Sequence, residues 1–472
     1  MTPICRADFS PRGTSVALLL FLVATSTFAE HADWIWTGRY VITMDAGSRV
    51  IDDGAVAIQG AKILAVGTRR DIDARFQARH RLDRPNAILS PGFIDTHTHA
   101  PMSLLRAIAD DKRLQDWLQN YIFPAEARNV DAEFVRWGTR LACLEMAQYG
   151  TTTFTDMYYF EDTVAEATRE AGLRGVLGQT IIGFPAPDYK TPEAALSGTE
   201  RYILRFKDDP LIVPAVAPHS VYTLSDERLK ASRALASEYG VPLLIHLSET
   251  KKENEDLMAK RKMTPTQLLD TLGVLNGRTL AAHGVWLNDN DLDILKRHGT
   301  GLAHCATSNT KLASGIARVV EILRRGMSMG LGTDGFAGSN DGADLMQEMG
   351  LAAKLQKVTT SNPEALPAEQ ALEMATIIGA RALGLDRQIG SLEAGKLADI
   401  IAIALSGPEA APLYNPYSAL VYSLKSKDVS DVMVNGRMIV ENRNMLTLNR
   451  NLVMAKAAEY QRRISESLAR PK

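Results

Sequence analysis

The stretch PGFIDTHTHAPM, Pro91–Met102, places His97 and His99 one residue apart at the end of an apolar run. On an extended strand, residues i and i+2 point the same way, so both imidazoles project from one side. Two such imidazoles are half of a zinc site or an accident of a short motif, and the rest of the chain has to decide. Downstream the apolar runs recur at strand length. With AILSPGFID (87–95) as the first, they are TTTFTDMY (151–158), RGVLGQTII (174–182), LIVPAVAPH (211–219), PLLIHLSE (242–249), TLAAHGVWL (279–287), TGLAHCAT (300–307) and MSMGLGTDG (327–335). Between most of them lie helical patterns such as VDAEFVRWGTRLACLEMAQYG and SDERLKASRALASEYG, the second ending on a glycine stop signal. Short strands alternating with helices predict an α/β fold with a parallel sheet, most simply a closed (β/α)8 TIM barrel. An open doubly wound sheet is the alternative, weakened by the lack of a Gly-rich phosphate fingerprint after the first strand.

Both ends of the chain read differently. RYVITMDAGSRVIDDGAVAIQGAKILAVG (39–67) and LADIIAIAL with DVMVNGRMIVENR (397–443) are β-branched runs broken by Gly, Asp-Gly and Asn435-Gly436, the marks of hairpins. Neither segment is large enough to bury a core alone. We therefore expect one small composite β-sandwich built from residues 30–86 and 388–472, the latter with a C-terminal helix, and a barrel over 87–387 inserted between them. Ahead of this, Arg6 and Arg12 precede the uncharged run SVALLLFLVATSTFA, with Thr27 and Ala29 at the −3 and −1 positions of a cut. That is the pattern of a signal peptide over residues 1–29, and it implies an exported protein, periplasmic or secreted, with no membrane anchor after cleavage.

The chain carries 46% hydrophobic residues and a net charge of −2, which offers no polybasic field for nucleic acid. Three cysteines cannot build a disulfide scaffold or a thiolate zinc site, and cleavage would leave Cys143 and Cys305, whose pairing the sequence leaves open.

Chemistry in a barrel gathers at the C-terminal ends of the strands. Six of the nine histidines lie at or just past such ends: His97, His99, His219, His246, His283 and His304. His31, His80 and His298 read as surface residues. Any one strand-end histidine is more often structural than a ligand, but six converging on one face are hard to explain by packing. Two carboxylates join them. Glu249 follows His246 by three residues, and Asp334 ends the last strand in GLGTDG, where Gly332 and Gly335 are expected to let the backbone turn. Taken singly, Asp334 could be a turn cap and Glu249 a helix N-terminal charge. Together His97, His99, His246 and Asp334 make a nitrogen/oxygen donor set suited to a borderline metal such as zinc.

At this point the chain resembles the amidohydrolase superfamily, and within it the branch that deaminates S-adenosylhomocysteine and 5'-methylthioadenosine. The likeness rests on PGFIDTHTHAPMSLLR, DWLQNYIFPAE, GTTTFTDMYYF, APHSVYTLS, HLSET, AAHGVW, SNTKLASGIA, GLGTDG and IGSLEAGKLADI, in that order over everything after the signal. It implies a metal-bearing barrel with a composite β-sandwich. It implies that His97, His99, His246 and Asp334 bind one divalent ion, zinc first with iron(II) as the alternative, since no lysine ends the fourth strand. It further implies that Glu249 carries a proton to a ring nitrogen and that His283 orients the attacking water beside Asp334. His219 would contact the ligand, Glu126 would grip the ribose hydroxyls, and Trp117 would wall the pocket. The implied activity is hydrolytic deamination of an adenine-type nucleoside, adenosine, 5'-methylthioadenosine or S-adenosylhomocysteine, with release of ammonia. The alternative is a relative acting on an s-triazine or other aminated heterocycle. A homo-oligomer is compatible with either reading, as is an exported binding protein on the same scaffold, although retention of Glu249 beside every ligand argues against the last.

Two positions depart from the pattern. Gln179 stands where this branch often has an arginine for the substrate's amino-acid carboxylate, which favours adenosine or methylthioadenosine over S-adenosylhomocysteine. Ala306 stands in HCATSN where relatives commonly have proline. The export reading carries its own test: N-terminal sequencing of protein recovered after export should begin at or near Glu30, and a chain that still begins at Met1 or Thr2 would defeat it.

Overall fold

The structure, a computed structural model, describes residues 30–469 together with 1–3 and residue 8. The apolar run and cut site of the expected signal peptide lie outside the described residues. Among the described residues, no helix is long and apolar enough to cross a membrane.

The chain opens with β1 (Glu30–Ile42), β2 (Val50–Gln59), β3 (Lys62–Thr68) and β4 (Phe76–Pro91). It then enters the barrel through β5 (Phe93–His99), β6 (Thr151–Tyr158), β7 (Arg174–Ile181), β8 (Ile212–Pro218), β9 (Leu243–Leu247), β10 (Thr279–His283), β11 (Gly301–His304), β12 (Met329–Leu331) and β13 (Asp334–Gly335). It returns to the first sheet through β14 (Ile400–Ala404), β15 (Val429–Val434), β16 (Arg437–Glu441) and β17 (Asn444–Met445).

The barrel strands follow one another in parallel from β5 to β12. The ring closes where Leu331 of β12 pairs with Asp95, and Asp334 of β13 pairs with Thr98. All eight expected barrel strands are present, and the TIM-barrel reading holds. The first begins later than expected. Ala87–Pro91 still pair with β14 in the other sheet, and Gly92 is the break between the two. A side chain at Gly92 would sit 2.1 Å from Thr152, so only glycine lets the chain pass from sheet to barrel here.

The flanking sheet has the order β17-β16-β15-β14-β4-β1-β2-β3, antiparallel except where β1 runs parallel to β4. It curls on itself. Ile63 on the edge strand β3 donates its N–H to Lys396 and accepts from Gly395, just ahead of β14. The enclosed core holds Trp36, Val56, Ile58, Leu89 and Ile400. Asn435 and Gly436, both at positive φ, make the expected two-residue hairpin. Asp53-Gly54 does not turn the chain. It lies inside β2, where a side chain on Gly54 would meet Val41 at 2.4 Å.

The C-terminal helix Arg450–Ala469, expected to go with the second half of the sheet, docks on the barrel shell. Tyr460 packs edge-on against Phe134 with centroids 5.7 Å apart, and Arg463 pairs with Asp131, the N-cap of the helix Ala132–Gln148. Val453, Tyr460 and Ile464 are the buried positions of Arg450–Ala469.

The helix Ala132–Gln148 also sets the start of the site. Its Gly138 lies against the turn Ala100–Leu105 that follows His99, and Ser103 donates to the Gly138 carbonyl at 2.7 Å. A Cβ on Gly138 would stand 2.2 Å from the Pro101 carbonyl oxygen, a backbone atom that cannot swing aside. Gly138→Ala should therefore destabilise the fold by about 1–3 kcal/mol, the usual range for overpacking, read as a lowered Tm. A wild-type Tm would refute the close approach.

Candidate active site

Five of the six strand-end histidines meet. His97 and His99 come from β5, His246 from β9, His283 from β10, and His219 follows β8. The His97 ring lies edge-on to His99, His246 and His283, with centroids 4.9, 5.0 and 5.4 Å away. Asp334 Oδ1 lies 3.4 Å from Nε2 of both His97 and His99. His304 is buried behind this group with neither ring nitrogen hydrogen-bonded, and it does not line the pocket. His31 and His80 are exposed, and His298 pairs with Asp270 at 2.7 Å.

The backbone decides which nitrogen each ring offers. His99 Nδ1 lies 2.7 Å from the Met157 carbonyl, and His246 Nδ1 lies 2.9 Å from the His219 carbonyl. A carbonyl only accepts, so each Nδ1 must carry the proton and each Nε2 a lone pair. Those two Nε2 atoms face each other at 3.4 Å. His97 Nε2 is buried with no hydrogen-bond partner. Donor atoms of His97, His99 and Asp334 lie within 4.8 Å of one another. Converging lone pairs beside a carboxylate fit a divalent cation, and imidazole with carboxylate suits a borderline one.

Charge states agree with this. Burial lowers the pKa of His97 to about 4 and that of His219 to about 3, and it holds His246 well below the usual value, so the rings are neutral near pH 7. Burial alone would raise Asp334, but the polar contacts around it hold its carboxyl well below the usual range, so it is ionised. Ser308 donates to its second oxygen at 2.5 Å.

The local backbone is forced. Asp334, His283 and Ser248 have φ of +65°, +73° and +48°, conformations that non-glycine residues adopt only when the surroundings impose them. The expected turning role of Gly332 and Gly335 is not seen. Neither has positive φ, and Asp334 makes the turn itself. Gly332 serves instead for close approach, since a Cβ there would meet that of His97 at 2.9 Å. The gap between β12 and β13 is held by Asp95, which accepts from the Thr333 N–H at 3.0 Å and its hydroxyl at 2.6 Å.

Glu249 sits 3.8 Å from His283 Nε2, and burial, followed by the charge of Asp334, holds its carboxyl well above the usual range. Glu253, one helical turn on, accepts the N–H groups of Ser248 and Glu249 at 3.1 and 2.9 Å and fixes this loop. Glu249 of the HLSET run and Glu253 just after it are thus both interior groups.

The cleft in front of these residues is lined by Trp117, Glu126, His219, Glu249, His283 and Asp334 together with apolar side chains such as Met102, Leu118 and Phe123. Trp117 is fixed by its indole N–H to the Ala337 carbonyl at 2.7 Å. Glu126 is buried, not a surface residue, and accepts from the Tyr158 hydroxyl at 2.6 Å, while burial raises its pKa to about 7. Tyr158 and Ser308 escaped the sequence reading, because nothing in a lone strand-end tyrosine or a serine in SNTKL marks its partner.

The two departures have structural explanations. Gln179 does not reach the cleft; its neighbour Thr180 does. Its amide donates to Asp188 at 2.8 Å and accepts from the Glu161 N–H at 3.2 Å, on the outward side of β7. It is therefore not part of the cleft wall. Ala306 is the first residue of the short helix Ala306–Lys311, a position that takes alanine as readily as proline. Cys143 and Cys305 are both buried and free.

The amidohydrolase family model matches residues 88–439. The 5-methylthioadenosine/S-adenosylhomocysteine deaminase 1 of Syntrophus aciditrophicus is 46% identical over 94% of this chain and all of its own length. The structure of an adenosine deaminase from Xanthomonas campestris with bound zinc superposes with a TM-score of 0.91 at 36% identity, over 93% of this chain and all of that one. A triazine hydrolase from Arthobacter aurescens gives 0.84 at 25% identity, over 91% and 99%. With the match running through the barrel and into the sheet beside it, the chain belongs to the amidohydrolase family.

Proposed function

We propose that the chain is a metal-dependent hydrolase that deaminates adenine-type nucleosides and releases ammonia. The observation that carries this reading is the content of one cleft. The proton-handling groups Glu249, His283 and Asp334 line it, and so does Glu126, a buried carboxylate of the kind that accepts hydrogen bonds from a vicinal diol. The deaminase names of the relatives support it.

When bound among His97, His99, His246 and Asp334, a divalent ion supplies Lewis acidity that brings the pKa of water toward neutrality, and zinc is our choice on the donor set and the zinc-bearing neighbour. The chain's own groups do the rest. Asp334, ionised, accepts a proton from the attacking water, and His283 Nε2 orients that water toward the ring carbon. Glu249 enters protonated, because burial raises its pKa, and gives its proton to the adjacent ring nitrogen. One proton of water leaves on ammonia and the other restores Glu249. Since Gln179 is turned away from the cleft, the reading covers adenosine, 5'-methylthioadenosine and S-adenosylhomocysteine alike. Location is part of the proposal: the run of residues 15–29 supports an exported enzyme acting outside the cytoplasm.

Zinc-loaded protein should release ammonia from adenosine-type nucleosides in preference to cytosine, guanine or triazines, and a preferred free base or triazine would overturn the substrate reading. Glu249→Gln should keep its metal and lose about a hundredfold or more in turnover, the scale of a general acid/base; near-normal turnover would remove the assigned role. Glu126→Ala should lose about 10- to 100-fold in kcat/KM for ribosides, the worth of a charge-assisted hydrogen bond, and far less for compounds without a sugar. A silent Glu126→Ala would sink the diol contact.

A further inference from the structure

His283 leaves β10 at φ +73°, and Gly284 follows at +57°, so the backbone swings the imidazole toward Glu249. That kink sets where the ring lies but not which of its nitrogens carries the proton. The answer lies on a different element. Asn309 Oδ1 is 3.0 Å from His283 Nδ1, with both residues buried.

The backbone of Asn309 is fixed on both sides, while its side chain bonds His283 through Oδ1 and buries Nδ2 without a hydrogen-bond partner. It sits in the helix Ala306–Lys311, its N–H donating to Cys305 at 2.9 Å and its carbonyl accepting from Ser314 at 2.8 Å. The start of that helix is pinned by Glu348, a buried carboxyl that accepts the Thr307 N–H and the Asn340 side chain, each at 3.0 Å. The residue before Asn309 is Ser308, which holds Asp334. One anchored turn thus touches two of the groups that face the cleft.

We propose that Asn309 is a positioning residue that keeps His283 in the tautomer with its proton on Nδ1, leaving the Nε2 lone pair toward the cleft. An imidazole presenting a lone pair can accept a hydrogen bond from water and so aim the water's own lone pair away from itself. The opposite tautomer would donate to the water and turn it round. Which nitrogen is protonated follows from the bond the other one makes, and the amide oxygen of Asn309 calls for a donor at Nδ1. The role of the tautomer rests on the deaminase reading, whereas the proton position itself does not.

The test is nitrogen-15 NMR of the zinc-loaded full chain labelled at histidine, with His283→Gln used only to assign the signal. Wild type should show His283 protonated at Nδ1. Asn309→Leu, close in shape but without an acceptor, should shift the proton to Nε2 or to a mixture. It should also lower kcat by about 10- to 100-fold, the usual cost of losing such a support, with KM and zinc content unchanged. Asn309→Asp keeps an acceptor and should keep the Nδ1 tautomer and most of kcat. Wild-type His283 protonated at Nε2 would overturn the proposal, even if Asn309→Leu does not fold. So would an Asn309→Leu enzyme that loses kcat with its tautomer intact, or that retains kcat with its tautomer changed. If wild type releases no ammonia from any adenine nucleoside, the deaminase reading fails while the proton position still decides the place of Asn309.

Discussion

His99 Nε2 and His246 Nε2 face each other at 3.4 Å, and each ring has already committed its single proton to a backbone carbonyl. Two lone pairs held that close repel in the absence of a cation, so the rings do not choose this arrangement for themselves. The barrel imposes it. β5 and β9 lie on different parts of the ring, and closure of β12 and β13 onto β5 brings Asp334 beside the same histidines. A group of donors that is unfavourable alone and favourable around a divalent ion is how a fold stores affinity for a metal.

Holding that group has local costs, and they fall at the strand ends. Three non-glycine residues are in the left-handed region here: His283 and Asp334, which line the cleft, and Ser248, which precedes the cleft residue Glu249. Around them stand interior carboxyls: Glu249, Glu253, Glu348 and Asp95, all raised in pKa by burial. Three of these accept backbone N–H groups of the very loops that carry the site, Glu253 from Ser248 and Glu249, Glu348 from Thr307, and Asp95 from Thr333. Strained loops persist where such bonds over-determine them.

The repeated pattern of short apolar strands and helices was enough to read the barrel, and the histidine-ended strands were enough to read five of the six rings expected to converge, His304 being the exception. Local pattern reaches that far because side-chain direction in a strand has period two and because a barrel gathers strand ends at one face. It stops at contacts between distant elements. Nothing near Gly92 marks the sheet-to-barrel crossing, which depends on Thr152. Gln179 stands next to the cleft residue Thr180, yet its own amide bonds Asp188 on the following loop. The C-terminal helix reads as an amphipathic helix and nothing more, because its partner Phe134 lies more than three hundred residues earlier.

The curled sheet has a consequence for how the protein is made. Ile400 of β14 pairs with Pro91 of β4, so the two partners lie 309 positions apart in the chain. At ribosomal speeds of about 5–20 residues per second, β4 waits on the order of 15–60 s for its neighbour. Throughout that interval Ile88 and Leu89, fully buried in the finished protein, stand on an open strand edge. Until β14 arrives, such an edge is a template for pairing with another chain. Shortening the chain before β14 would make the wait permanent, leaving an intact set of site residues on a molecule prone to aggregate.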